Sequence, residues 1–131
     1  SLSVAPPGQA RPVLHGVSFS LTAGMGLGVI GPSASGKSTL ARAIVGAWLP
    51  LPRGGQVRLD GAALDHYAPE ALGLDIGYLP QDVELFDATV AQNIARLNPR
   101  SPDEAIIAAA RLAGCHDMIL QLPEGYDTRV G

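Results

Sequence analysis

The chain has 131 residues, 47% of them hydrophobic and 16% charged, with a formal net charge of −3. This is the size of one domain with enough apolar material for a core, and too hydrophobic a mixture for a disordered chain. The negative balance gives no electrostatic basis for nucleic-acid binding, a single cysteine, Cys115, excludes an internal disulfide, and no apolar run approaches the roughly 18 residues of a bilayer span.

The N-terminal stretch SLSVAPPGQARP lacks both the charged start and the apolar centre of a signal peptide. The chain itself is therefore expected to be soluble. Val13 to Leu21 alternates, with Val13, Val17, Phe19 and Leu21 on one side, and predicts a half-exposed strand. After the Ala23-Gly24 turn, Gly26-Leu-Gly-Val-Ile30 carries no polar side chain and predicts a strand buried on both faces of a parallel sheet. Residues 31 to 36 form a loop. From Lys37 the spacing becomes helical, with Leu40, Ala43, Ile44, Ala47 and Trp48 on one face.

Pro50, Pro52 and Gly54-Gly55 close that helix. Gln56 to Asp60 alternates into an Asp60-Gly61 hairpin turn. A short helix is expected over 68–73, then a strand from Asp75 to Leu79 that stops at Pro80. Beyond the Pro80-Gln81-Asp82 loop the pattern is helical. Two capping boxes, Thr89-Val-Ala-Gln92 and Ser101-Pro-Asp-Glu104, predict helix starts, the second with proline at its first helical position. Leu122 to Tyr126 is a turn.

The chemistry concentrates in GPSASGKSTL. Gly31-x-x-x-x-Gly36-Lys37-Ser38, between a strand pattern and a helix, matches the phosphate-binding P-loop. Glycine permits positive φ and close backbone approach. Successive N–H groups of about Ser33 to Ser38 can then converge on a β-phosphate at a helix N-terminus. Lys37 supplies a compact charge, and the Ser38 hydroxyl can reach Mg²⁺. Lys37 is the one lysine among nine cationic residues, the other eight being arginine. Gly31, Pro32, Ser33, Ala34, Ser35, Gly36, Lys37, Ser38 and Thr39 are thus the expected ATP-binding residues, with Ser38 on the metal.

The order of motifs resembles the nucleotide-binding domain of an ATP-binding cassette transporter along nearly the whole chain. Pro12 to Leu21 is similar to the antiparallel strand before the family's P-loop, and Gly55-Gln-Val-Arg-Leu-Asp-Gly61 to the strand and turn after its helix. Ile76-Gly-Tyr-Leu-Pro-Gln81 resembles the segment ending in the Q-loop glutamine. Leu85-Phe86-x-x-Thr89-Val90-x-x-Asn93-Ile94 looks exporter-like. GPSASGKSTL, GYLPQDVELF and LPEGYDT are most similar to type I secretion ATPases that export proteases and repeat-toxin-like proteins.

The resemblance implies an α/β P-loop NTPase fold of the ATP-binding cassette type. Its parts are an antiparallel β-subdomain and partial RecA-like core (1–85), then the start of a helical subdomain (86–131). It also implies ATP and Mg²⁺ as cofactors, Gln81 as a supporting catalytic and metal-contacting residue, and two kinds of partner. These are a second cassette domain packed head to tail and the exporter's transmembrane domain, at the cytoplasmic face of the membrane. Residues 81–97 would lie near that membrane part.

Two departures bear on function. The stretch Leu2 to Gly8 holds no aromatic residue to stack on adenine, leaving Val4 or Pro6 as apolar contacts. The family's signature motif, Walker B aspartate with catalytic glutamate, and switch histidine have no counterpart in the sequence. Asp60 precedes Gly61 in a turn, and His15, His66 and His116 have no metal or triad spacing. The chain is thus expected to bind Mg-ATP without hydrolysing it efficiently, and to be a fragment whose open apolar sheet edge leaves it marginal or self-associating. Two other readings stand beside this one: a non-hydrolysing nucleotide-binding module, and a soluble cassette ATPase uncoupled from transport.

Overall fold

The computed structural model describes residues 1–131, which divide into two units, Ser1–Tyr78 and Leu79–Gly131. In the first, β1 (Leu2–Val4) pairs antiparallel with β2 (Leu14–Val17), with Leu2 opposite Val17 and Val4 opposite Leu14. Alternation explains the pair: Leu2, Val4 and Leu14 are buried while Ser3 turns its hydroxyl outward to accept from the Gly16 N–H at 3.2 Å. Helix α1 (Lys37–Ile44) lays Leu40 and Ala43 on this ribbon, completing a core of Leu2, Val4, Leu14, Leu40 and Ala43. Val17, Trp48 and Val57 pack around it.

Helix α1 is shorter than its apolar spacing predicts. It stops at Ile44, and Gly46 at φ 77° turns the chain away; Trp48 reaches the core from the following turn. The Arg42 guanidinium sits 5.0 Å from the centre of the Trp48 ring, a cation–π contact over the one tryptophan of the chain. The predicted hairpin forms as β3 (Arg58–Leu59) and β4 (Ala62–Ala63), with Asp60 at φ 48° and Gly61 at φ 84° between them. Positive φ at both central residues is the requirement of the tight two-residue turn, which the Asp-Gly pair meets. A 3₁₀ turn (Leu64–His66) leads to α2 (Pro69–Asp75), close to the expected short helix.

Two expected strands are not realised. All the sheets are two-stranded and antiparallel, and Gly26–Ile30 pairs with nothing: Leu27 and Val29 are each 45% exposed and Ile30 is 96% exposed. A parallel strand needs neighbours on both sides and covering layers on both faces, and these residues have neither. The second correction concerns Asp75 to Leu79. Asp75 ends α2, and Tyr78 and Leu79 extend without strand pairing, exposed. The strand expected over Val13 to Leu21 likewise contracts to Leu14–Val17, since β1 is only three residues long and offers no partner to Phe19 or Leu21.

The second unit contains β5 (Ala88–Thr89), α3 (Val90–Ile94), α4 (Asp103–Leu112), α5 (His116–Leu120) and β6 (Arg129–Val130). Strands β5 and β6 pair antiparallel, Ala88 with Val130 and Thr89 with Arg129. Ala88, Ile106, Ala110 and Ile119 are its buried apolar residues. The Leu122–Tyr126 turn forms, followed by a 3₁₀ turn at Gly125–Asp127; His116 Nδ1 and Tyr126 Oη approach to 2.8 Å across it.

One capping box forms and one does not. Thr89 Oγ1 accepts from the Gln92 N–H at 3.1 Å while Gln92 Oε1 accepts from the Thr89 N–H at 2.9 Å. Thr89→Ala removes one half of this exchange and should cost about 1 kcal/mol of the second unit's stability, read as a lowered melting midpoint. At α4 the cap position is Pro102 rather than Ser101, with no side-chain cap bond. Asp103 and Glu104 in the first turn stabilise that end through the helix dipole instead.

Candidate phosphate-binding site

The loop 31–36 leaves the exposed Gly26–Ile30 segment and enters α1. Ala34 (φ 64°) and Gly36 (φ 92°) both take left-handed backbone conformations, which fold the loop back over the helix start. At Gly36 the positive φ strains any L side chain, and the residue lies against β2: an added Cβ would stand in ordinary contact, 3.5 Å from Leu14 Cδ1 and 3.7 Å from the Val13 carbonyl oxygen. The loop is thus seated on β2, the strand whose own burial against α1 makes the core.

Lys37 folds back across the loop. Its ammonium donates to the Gly31 carbonyl at 2.8 Å, to the Pro32 carbonyl at 2.7 Å, and more weakly to Ser35 Oγ at 3.5 Å. The Ser35 N–H donates to the Pro32 carbonyl at 3.3 Å. One cation therefore gathers both ends of a glycine-rich turn. Gly31 lies close as well: a Cβ there would meet Ser35 Oγ at 2.9 Å.

The start of α1 differs from every other α-helix of the chain. It has no side-chain cap and no acid in its first turn. The others carry either a capping side chain, as α3 does, or an acid in the first turn, namely Glu70 in α2, Asp103 and Glu104 in α4, and Asp117 in α5. The first N–H groups of a helix have no intrahelical acceptor. Here they meet neither a cap nor a carboxylate, beside a lysine ammonium. That donor set suits an anion with several oxygens. Ser38 is exposed at the same helix start and offers one hard oxygen of the kind a divalent cation takes. Thr39 is buried, at 7% exposure, and turns into the unit's interior.

The structure thus brings Gly31, Pro32, Ser33, Ala34, Ser35, Gly36, Lys37, Ser38 and Thr39 together as one loop and helix start. Gln81 belongs to the second unit, exposed in a stretch without secondary structure. One proposed adenine contact is corrected. Val4 is completely buried between β2 and α1 and has no surface to offer a base, whereas Pro6 keeps part of its ring exposed. The sequence reading missed β1 itself, although Leu2-Ser3-Val4 shows the alternation in miniature. It also missed Leu14 as the side chain beneath Gly36, a contact that no local pattern announces.

A model of the ABC transporter family matches residues 14–130. The chain is 58% identical over 130 residues to the type I secretion system ATP-binding protein PrsD of Rhizobium meliloti, covering 99% of this chain and 22% of that protein. It is 41% identical over 119 residues to the leukotoxin export ATP-binding protein LtxB of Aggregatibacter actinomycetemcomitans, covering 91% of this chain and 16% of that one. A solved structure of a bacterial Atm1-family ABC exporter with ATP bound matches with a TM-score of 0.83 at 37% identity, over 98% of this chain and 22% of the other. The chain therefore spans about a fifth of the length of these relatives.

Proposed function

The chain belongs to the ABC transporter family, and from that membership we propose that it carries the phosphate-loop half of an exporter's ATP-binding domain, holding Mg-ATP through residues 31–39. The observation that carries this reading is the uncapped, acid-free start of α1 with Lys37 folded over the Gly31–Ser35 turn. The backbone N–H groups at the helix start hold phosphate oxygens, and Lys37 exchanges a carbonyl acceptor for one of them. Ser38 would offer its hydroxyl to Mg²⁺, whose charge would offset that of the bound phosphates. Gln81 is a supporting residue that meets the metal or the attacking water when the site closes.

Residues 31–39 include no carboxylate, and α1 has no acid in its first turn. Proton removal from an attacking water needs a base within hydrogen-bond reach. In this reading that base, and the half-site that closes over the nucleotide, come from outside these residues, from further sequence and from a second cassette domain. The full protein is then a transport ATPase at the cytoplasmic face of a membrane, joined to a transmembrane domain. The 58% identity to PrsD supports protein secretion as the exported class.

Gln81→Ala should leave Mg-ATP affinity of the chain within a factor of about two, since Gln81 makes no part of the phosphate loop. In the whole exporter the same change should lower turnover by at least about tenfold, because the lost contact forms only in the closed site. Affinity by calorimetry and phosphate release in membranes test the two halves of that statement. Loss of binding by Gln81→Ala would overturn its placement. A second reading, of a module that binds ATP without turnover, draws on the same absence of an acid near the loop; phosphate release by the whole exporter would eliminate it.

A further inference from the structure

No hydrogen bond holds residues 79–85, and Leu79, Val83 and Leu85 are 81%, 60% and 54% exposed. At Phe86 this changes abruptly. The half-buried Asn93 on α3 accepts from the Phe86 N–H through Oδ1 at 2.8 Å, and donates from Nδ2 to the Phe86 carbonyl at 3.0 Å. Its Nδ2 also donates to the Thr89 carbonyl at 3.0 Å. One amide side chain therefore occupies both polar groups of a single residue, as a strand partner does. Immediately downstream, Arg129 Nη2 reaches Asp87 Oδ1 at 2.7 Å, and Ala88 and Thr89 pair with β6. The Arg129 pair is exposed on both sides and screened by water, so at Phe86 itself the anchoring falls on Asn93, with the β5–β6 pairing starting two residues later.

We propose that Asn93 is a positioning residue that fixes the downstream end of the loop carrying Gln81. The loop is free to move between its attachments, and Asn93 sets where that freedom stops. Its two hydrogen bonds to Phe86 hold the main chain of a residue that stays 59% exposed, so side-chain packing does not do the same task. Asparagine suits the position because only an amide presents one acceptor and one donor side by side at this reach. The consequence for Gln81 rests on the proposed role of that residue at the metal.

Backbone NMR order parameters of the whole 131-residue chain test the proposal, with Asn93→Leu and Asn93→Asp beside the unchanged protein. Leucine keeps the branched heavy-atom shape and removes all three hydrogen bonds; aspartate keeps the acceptor for the Phe86 N–H and loses the donor. In the unchanged protein Phe86 should show a rigid order parameter of about 0.85, and in Asn93→Leu it should fall below about 0.6, with α4 unaffected. Asn93→Asp should loosen Phe86 as well, because its second carboxylate oxygen would face the Phe86 and Thr89 carbonyls to which Nδ2 donates. A rigid Phe86 in Asn93→Leu would overturn the proposal, as would loosening spread equally through α4 and α5, which marks a residue of the fold and not of the loop.

Turnover separates this from the reading on which it rests. In the whole exporter, where the site can close, Asn93→Leu should lower phosphate release several-fold at equal nucleotide affinity. Phosphate release by the whole exporter that Gln81→Ala leaves unchanged would remove Gln81 from the metal site while leaving the order-parameter result to decide the role of Asn93.

Discussion

Lys37→Ala should weaken Mg-ATP binding by about ten- to a hundredfold, measured by calorimetry on the chain. The ammonium is the only cationic group in the loop, and it carries bonds to two carbonyls at 2.7 and 2.8 Å that a bound phosphate would compete for. Charge-assisted hydrogen bonds contribute roughly 1.5–3 kcal/mol, which sets the size of the loss. Lys37→Arg should not restore full affinity, since a planar fork cannot take the place of a compact ammonium inside the Gly31–Ser35 turn. The fold should survive both changes, because Lys37 is only half buried, is not one of the core residues, and spends its hydrogen bonds within the loop. Unchanged affinity in Lys37→Ala would remove the loop from the site.

Leu40→Ala should lower the stability of the first unit by about 2–3 kcal/mol, near the lower end for a buried leucine because one neighbour, Trp48, can relax inward. Leu40 is 7% exposed and belongs to a cluster of only five buried residues, so it is a large share of what holds α1 on the β1–β2 ribbon. Trp48 packs against that cluster and is the one tryptophan, so its fluorescence reports this unit directly. The expected reading is a lower denaturant midpoint for Trp48 emission. Loss of Mg-ATP affinity should follow only when unfolding does, which separates this variant from Lys37→Ala.

The same smallness of core bears on the exposed surface. The chain exposes 9862 Å², against about 6,500 Å² for one folded monomer of its mass, or about 7,800 Å² for two independent units of the same total. Gly26–Ile30 and the stretch around Tyr78 and Leu79 contribute apolar side chains to that excess. These are the two segments where an expected strand finds no pairing at all. An apolar run reports that a segment seeks burial, but burial in a sheet is a relation between strands, and neither segment has its partners among these residues. Elements closed by local chemistry were legible instead. The Asp60-Gly61 turn, the Thr89–Gln92 box and the start of the helix at Lys37 need only their own neighbours, and each formed where its residues predict, although that helix ends earlier than its spacing predicts.

The turn of residues 31–36 was legible for the same reason, being a contiguous stretch whose glycines state a backbone conformation. Its seating was not. Leu14 beneath Gly36 and Lys37 across Gly31 and Pro32 are contacts of the folded loop, and the motif gives no sign of the first. Asn93 shows the intermediate case. It stands inside an exporter-like run, yet its work on Phe86 becomes visible only once α3 places it there.

The most direct test of the whole account is an amide-resolved NMR titration of the 131-residue chain with Mg-ATP. The account predicts that the amides of Ser33 to Thr39 shift together and saturate on one binding curve, with no such response to Mg²⁺ alone. Saturable shifts elsewhere that leave these amides still, or no saturable response at all, would contradict it.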